Sequence, residues 1–216
     1  MLTTKWTYSM TTMTDPYIEL ASGTKYFPGK PHQWDVLDIS HALSMQCRYT
    51  GHCRHFYSVA EHSVLCSLLS EELGIGDPFE CLMHDAHESV VSDMASPWKK
   101  HLPDYVEAER RAEIDMRQFY DLQPTITDEA KKIDYLALFI EAHYLVASKG
   151  QDWVDSQGVR VEAMKLVKQG WRVTGLEPDR AKSAFLRRYH HLIKDRPKPW
   201  WKAIDADENG QKKLLG

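Results

Sequence analysis

Long apolar runs are missing from this chain of 216 residues: charges and histidines interrupt every stretch that could cross a bilayer, so a membrane span is not expected. A basic excess is missing too. Lys and Arg total 27 against 31 Asp and Glu, giving a formal net charge of −4 and a pI near 6.3. A protein that binds nucleic acid through its overall charge would show the opposite balance, so nucleic acid is not the expected partner, and any bound anion must be held by local groups. Cysteine is sparse, with only Cys47, Cys53, Cys66 and Cys81, and no secretory apolar region opens the sequence. Reduced thiols in a cytoplasmic protein are therefore expected, in the host cytoplasm if the source is viral. Repeats and low-complexity tracts are absent, and little of the chain alternates in the manner of a strand, which leaves an all-α class.

What is present suffices for one sizeable core. With 43% hydrophobic and 11% aromatic residues, residues 1–216 read as a single domain. Residues 1 to about 36 read as an irregular segment with a short hairpin around Ser22-Gly23-Thr24. A short helix is expected over Asp38–Ser44, then a loop from Arg48 to Tyr57. Ser58-Val59-Ala60-Glu61 fits a capping box, with Ser and Glu satisfying backbone donors reciprocally, and places His62 in a first helical turn. Gly74 and Gly76 end that helix, and Asp77-Pro78 opens another expected to run to about Met94. Further helices are predicted over Asp104–Tyr120, from Thr127 through Tyr144, over Val159–Trp171 and over Pro178–Lys194. Arg196 to Trp201 reads as extended, and the polar end after Ala206 as disordered.

The residues that carry chemistry are His62, the run His84-Asp85-Ala86-His87-Glu88, and Asp134. Two imidazoles and two carboxylates from three segments can close around one divalent ion and leave positions open, a set that suits Zn, Co or Mn, with Mg possible. A His-Asp pair between Cys81-Leu82-Met83 and Val90-Val91 would bury charge at a cost of several kcal/mol unless a metal or partner compensated. In one continuous helix His84 and Glu88 share a face, which makes Glu88 the general acid/base, set back from the ligands. Cys47, His52, Cys53 and His55 do not follow the paired spacings of small zinc modules. Cations and aromatics mix in Arg187–His191 and Pro197–Lys202, a pattern read as a helix end and an oligomer contact.

The order Arg48-Tyr49, Glu61-His62-Ser63, His84-Asp85-Ala86-His87-Glu88, Asp93, Ser96-Pro97-Trp98-Lys99 and Lys132-Ile133-Asp134-Tyr135-Leu136 resembles the HD-domain phosphohydrolases. The resemblance runs from about Asp38 to Glu141. Within that family it is nearest the bacterial HD-domain 5′-deoxynucleotidases and the phage dATP triphosphohydrolases. It implies an HD-domain helical bundle in which His62, His84, Asp85 and Asp134 hold the metal and Glu88 assists catalysis. Arg48 and Lys99 would contact phosphate, Tyr49, where relatives often have Trp, would stack on a base, and Asp93 and His52 would complete the substrate side. The implied activity is hydrolysis of dATP to deoxyadenosine and triphosphate. Its alternatives are a 5′-deoxynucleotidase acting on monophosphates and a non-catalytic nucleotide-sensing module. A homo-oligomer, dimer or hexamer, is the implied assembly.

Overall fold

A computed structural model describes residues 15–194 and Arg196. The calls on residues 1–14 and from Pro197 onward lie outside the described residues. The fold is all-α apart from one antiparallel hairpin, β1 (Ile18–Glu19) with β2 (Lys25–Tyr26), whose turn falls at Ser22-Gly23-Thr24 as the sequence indicates.

Helix α1 (Val36–Met45) is capped by Asp35, which accepts from the Leu37 amide. A single 3-10 turn, Tyr49–Gly51, interrupts the loop that follows. Helix α2 (Val59–Leu73) starts at Ser58, whose hydroxyl accepts from the Glu61 amide, and ends at Gly74 in the left-handed region. Only half of the expected capping box forms. The Glu61 carboxylate turns away from its own helix and accepts the amides of Gly175 (3.1 Å) and Leu176 (2.7 Å), two donors from a distant connection.

Helix α3 (Pro78–Met83) opens on the Asp77 cap. It does not continue to Met94. Residues 84–87 wind tightly, with bonds from Ala86 to Met83 and from Glu88 to Asp85 spanning three residues instead of four; α4 (Glu88–Val91) stops at Ser92, whose φ is 72°. A short α5 (Ser96–Lys99) precedes α6 (Pro103–Phe119). Then come α7 (Asp128–Leu145, capped by Thr127), α8 (Arg160–Lys168) and α9 (Pro178–Leu192). The last four lie within a few residues of the ranges their periodicity and caps predict, whereas α5 was not expected.

Helix α2 is the axle of the fold: it packs against α1, α3, α7 and α9. Its Val59 and Ala60 join a core with Ile39, Leu82, Met83, Met116 and Phe185, whereas its Leu65, Cys66 and Leu69 join a second with Ile133, Leu136, Phe139 and Leu166. A fully buried Val, Leu, Ile, Met or Phe among them contributes roughly 1.5–3 kcal/mol. The spacing between α3 and α7 is fixed by polar groups. Glu80 pairs with the fully buried Arg117 of α6 and accepts from the amide (3.1 Å) and hydroxyl (2.7 Å) of Thr127, the cap of α7. That network sets Asp134 of α7 relative to the turn after α3.

Candidate metal centre

Four of the residues singled out from the sequence converge. His62, in the first turn of α2, places its Nε2 3.2 Å from His84 Nε2, 3.5 Å from Asp85 Oδ2 and 3.2 Å from Asp134 Oδ1. His84 Nε2 lies 3.1 Å from Asp85 Oδ2 and 3.9 Å from Asp134 Oδ1. The imidazoles are buried, while the side chain of Asp134 is 36% exposed, so the cluster opens to solvent on the α7 side.

Both rings are oriented from behind. His84 Nδ1 lies 2.8 Å from the carbonyl oxygen of Cys81, which can only accept, so that nitrogen carries the proton. His62 Nδ1 lies 2.6 Å from Glu141 Oε1. Burial opposes ionisation of Glu141, but Arg48 and His62 outweigh it and hold the carboxyl at about 2, so it too accepts. With both Nδ1 atoms so tied, the two Nε2 atoms face each other across 3.2 Å, an arrangement that is repulsive until a proton or a metal cation lies between them. The charges agree. Burial lowers the pKa of both histidines, and Arg48 that of His62, yet acidic neighbours, Asp85 for His84, and Cys66, Glu141 and Asp134 for His62, pull each above the ordinary value. Asp85, despite its burial, is held well below the carboxylate range by His84, His62 and Arg48. His62, His84 and Asp134 could thus hold a metal ion, with Asp85 beside them.

Cys66 is a further possible donor, grouped with His62, His84 and Asp134. Its sulfur stands 3.8 Å from His62 Nδ1 and 3.6 Å from Nε2, so it lies beside the ring and not along the lone pair, and burial pushes its thiol up to about 11. We read it as packing.

No family model matches the chain. It is 35% identical over 179 residues to an uncharacterized protein, YfdR, of Escherichia coli strain K12, over 82% of this chain and 95% of that protein. The chain belongs to the YfdR family. A second relative, an uncharacterized protein of Rhodobacter capsulatus, is 27% identical over 173 residues, 76% of this chain and 88% of its own length.

In this YfdR-family protein the remaining sequence-derived residues divide. Arg48, its side chain 12% exposed, donates through Nε to Glu141 (3.2 Å) and brings Nη1 to 3.8 Å from Asp85, so it borders the cluster. Tyr49 donates its hydroxyl to Glu141 (2.8 Å) and stacks on Trp153, which occupies one face of a ring expected to take a base. Lys99 donates to Glu109 at 2.7 Å. Asp93 does not end the second helix, as its place in a continuous helix would require, but sits in the loop after α4, where its amide donates to Gln46. His52 is exposed, and its amide donates to the carbonyl oxygen of Tyr49.

Glu88 departs from its expected geometry. With three residues per turn through 84–87, position 88 falls beneath 85 and not 84. Its carboxylate groups with His87 and Glu109. Burial first, then Asp85 and Asp93, push its pKa well above the ordinary value, against Arg48 and Lys99, which lower it.

The residue that sequence reasoning missed is Glu141. It is fully buried and accepts from Arg48, Tyr49, Tyr57 (3.1 Å) and His62 at once. A signal was available. Glu141 is seven residues after Asp134 on α7, hence on the same face two turns on, and it interrupts the apolar run Phe139-Ile140-Glu141-Ala142.

Proposed function

We propose that this protein is a metal-dependent phosphohydrolase of deoxynucleotides of the HD-domain type, acting on dATP to give deoxyadenosine and triphosphate. The observation that carries the reading is the pair of Nε2 atoms 3.2 Å apart, each backed at Nδ1 and flanked by Asp85 and Asp134. His62, His84, Asp85 and Asp134 would hold the ion; when bound, it supplies Lewis acidity toward a phosphoryl oxygen and activates water. The solvent-facing side of Asp134 is where substrate enters.

The chain's own groups do the rest. Arg48, anchored through Nε on Glu141, presents the other end of its guanidinium beside Asp85, where it can bind and orient a phosphate. Glu88, whose acid form is favoured by its burial and by Asp85, is suited to giving its proton to the sugar O5′ as the bond from that oxygen to phosphorus breaks. Lys99 contributes a second positive charge once it exchanges Glu109 for phosphate.

One observation favours hydrolysis of a monophosphate instead: Lys99 is already paired with Glu109, and the groups about it, Glu88 and Asp85 included, are acidic, a poor setting for the outer phosphates of a triphosphate. The two readings separate in a product assay with dATP, dGTP and dAMP in Zn, Co, Mn and Mg. Wild type is expected to release triphosphate from dATP, and Asp134→Asn to lose at least about 100-fold in rate. Faster turnover of dAMP than of dATP would replace the first reading by the second, and no turnover of any deoxynucleotide would leave a nucleotide-binding module.

A further inference from the structure

The side chains of residues 84–88 divide between two places. His84 and Asp85 serve the first cluster, whereas His87 and Glu88 meet Glu109 of α6. One nitrogen of His87 and one oxygen each of Glu88 and Glu109 lie within 4.8 Å of one another, and the residues are 6%, 5% and 9% exposed. Ligand atoms about 2.1 Å from a single ion stand about 3–4 Å apart, so small side-chain rotations would bring all three onto one centre.

A second observation points to a ligand. His87 Nδ1 and Glu88 Oε2 are buried without a hydrogen-bond partner among the described residues. Unsatisfied atoms of this kind are rare in folded proteins, and two in adjacent residues of one cluster call for a missing partner. A donor would satisfy one or the other, but a cation satisfies an imidazole lone pair and a carboxylate oxygen together. A cation is already drawn to the rim, where the Lys99 ammonium donates to Glu109 Oε1 at 2.7 Å. The one-nitrogen, two-oxygen set matches the preferences of manganese, cobalt and zinc.

We propose that His87, Glu88 and Glu109 form a second divalent-cation site, and that an ion bound there takes the Glu88 carboxylate out of proton transfer. The second clause rests on the phosphohydrolase reading; the first does not. The two sites are tied through Asp85 and Glu88, which share a face of the turn. Filling the second therefore inhibits: the first equivalent of metal activates, and further metal suppresses turnover. Lys99 competes with the ion for Glu109, so removing the ammonium strengthens the site.

The test titrates metal-free protein with Mn²⁺, reading bound metal by elemental analysis after equilibrium dialysis and dATP hydrolysis in parallel. Wild type is expected to take two equivalents, the second more weakly. Glu109→Gln and His87→Gln take one, and Asp134→Asn keeps the second while losing the first. Lys99→Met, at a side chain 31% exposed, tightens the second equivalent by about 10-fold and needs no change in the buried cluster. Hydrolysis by wild type falls as the second equivalent binds, and that fall is absent in Glu109→Gln. A single equivalent in wild type, two in folded Glu109→Gln, or no tightening in Lys99→Met overturns the site. Two equivalents without inhibition overturn the role given to Glu88, whereas two equivalents with no turnover at any Mn²⁺ concentration sink the phosphohydrolase reading and leave the site standing.

Discussion

Glu141 shows how much one buried carboxylate can organise. It touches none of the other carboxylates of the cluster, yet it fixes the proton of His62, the guanidinium of Arg48 and the hydroxyls of Tyr49 and Tyr57. Replacing it with Gln keeps the volume and removes the charge. Partners of this kind behind a ligating histidine are worth about 10–100-fold in metal affinity, and Glu141→Gln is expected to lose that much, read by competition with a chelator, while far-UV circular dichroism stays unchanged. At this scale the sequence was legible for ligands and much less so for their supports. His62, His84, Asp85 and Asp134 stand out because imidazoles and carboxylates in apolar turns need an explanation. Glu141 serves groups 79 to 93 residues away in the chain, and no local pattern encodes such a distance. Tyr49 misled in the other direction, since the Trp153 that covers it belongs to an irregular loop.

Three helix starts were legible from their caps, since Ser58, Asp77 and Thr127 each accept the amide their position predicts, whereas the Asp35 cap of α1 was missed and that helix placed from Asp38. The break after Met83 was not legible, because nothing in His84-Asp85-Ala86-His87 forbids helix; the tighter winding belongs to how the site is assembled. Glu61 is a similar case. A capping box reads correctly from local chemistry, but the amides of Gly175 and Leu176 compete for the same carboxylate and win. That choice makes the connection between α8 and α9 a brace for the first turn of α2, where His62 sits. Gly175 permits it: φ is 71°, and a Cβ there would lie 2.6 Å from the carbonyl oxygen of Phe56. Gly175→Ala is therefore expected to cost at least about 1–2 kcal/mol from its left-handed backbone alone. The loss should appear as a lower midpoint in urea, together with weaker metal binding, although residue 175 touches no ligand. Unchanged metal affinity in a destabilised variant would show that the brace does not reach His62.

At the scale of the molecule, the four candidate ligands come from three segments that α2, α3 and α7 bring together, so an ion bound there ties helices that are distant in sequence. No helix among the described residues is long and apolar enough to cross a membrane. Metal that binds only the folded chain stabilises it by mass action, about 4 kcal/mol when the free ion is at 1,000 times its Kd. For a chain of this length each kcal/mol moves the melting point by about 2–4 °C. Stripping the ion with a chelator is thus expected to lower the Tm by about 8–16 °C in wild type and by less in Asp134→Asn, which retains only the weaker second site, as differential scanning calorimetry reads directly.

Tyr49, Thr50 and Gly51 run through the left-handed region in succession, with φ of 58°, 53° and 77°. Two of the three carry side chains that disfavour that region by roughly 1–2 kcal/mol each. They are kept there by the hydroxyl of Tyr49 on Glu141, its ring on Trp153, and Arg48 on Glu141. The loop is thus a drawn spring whose catch is a carboxylate, and an anion that lured Arg48 away from Glu141 would be pulling in the direction the backbone already wants to go.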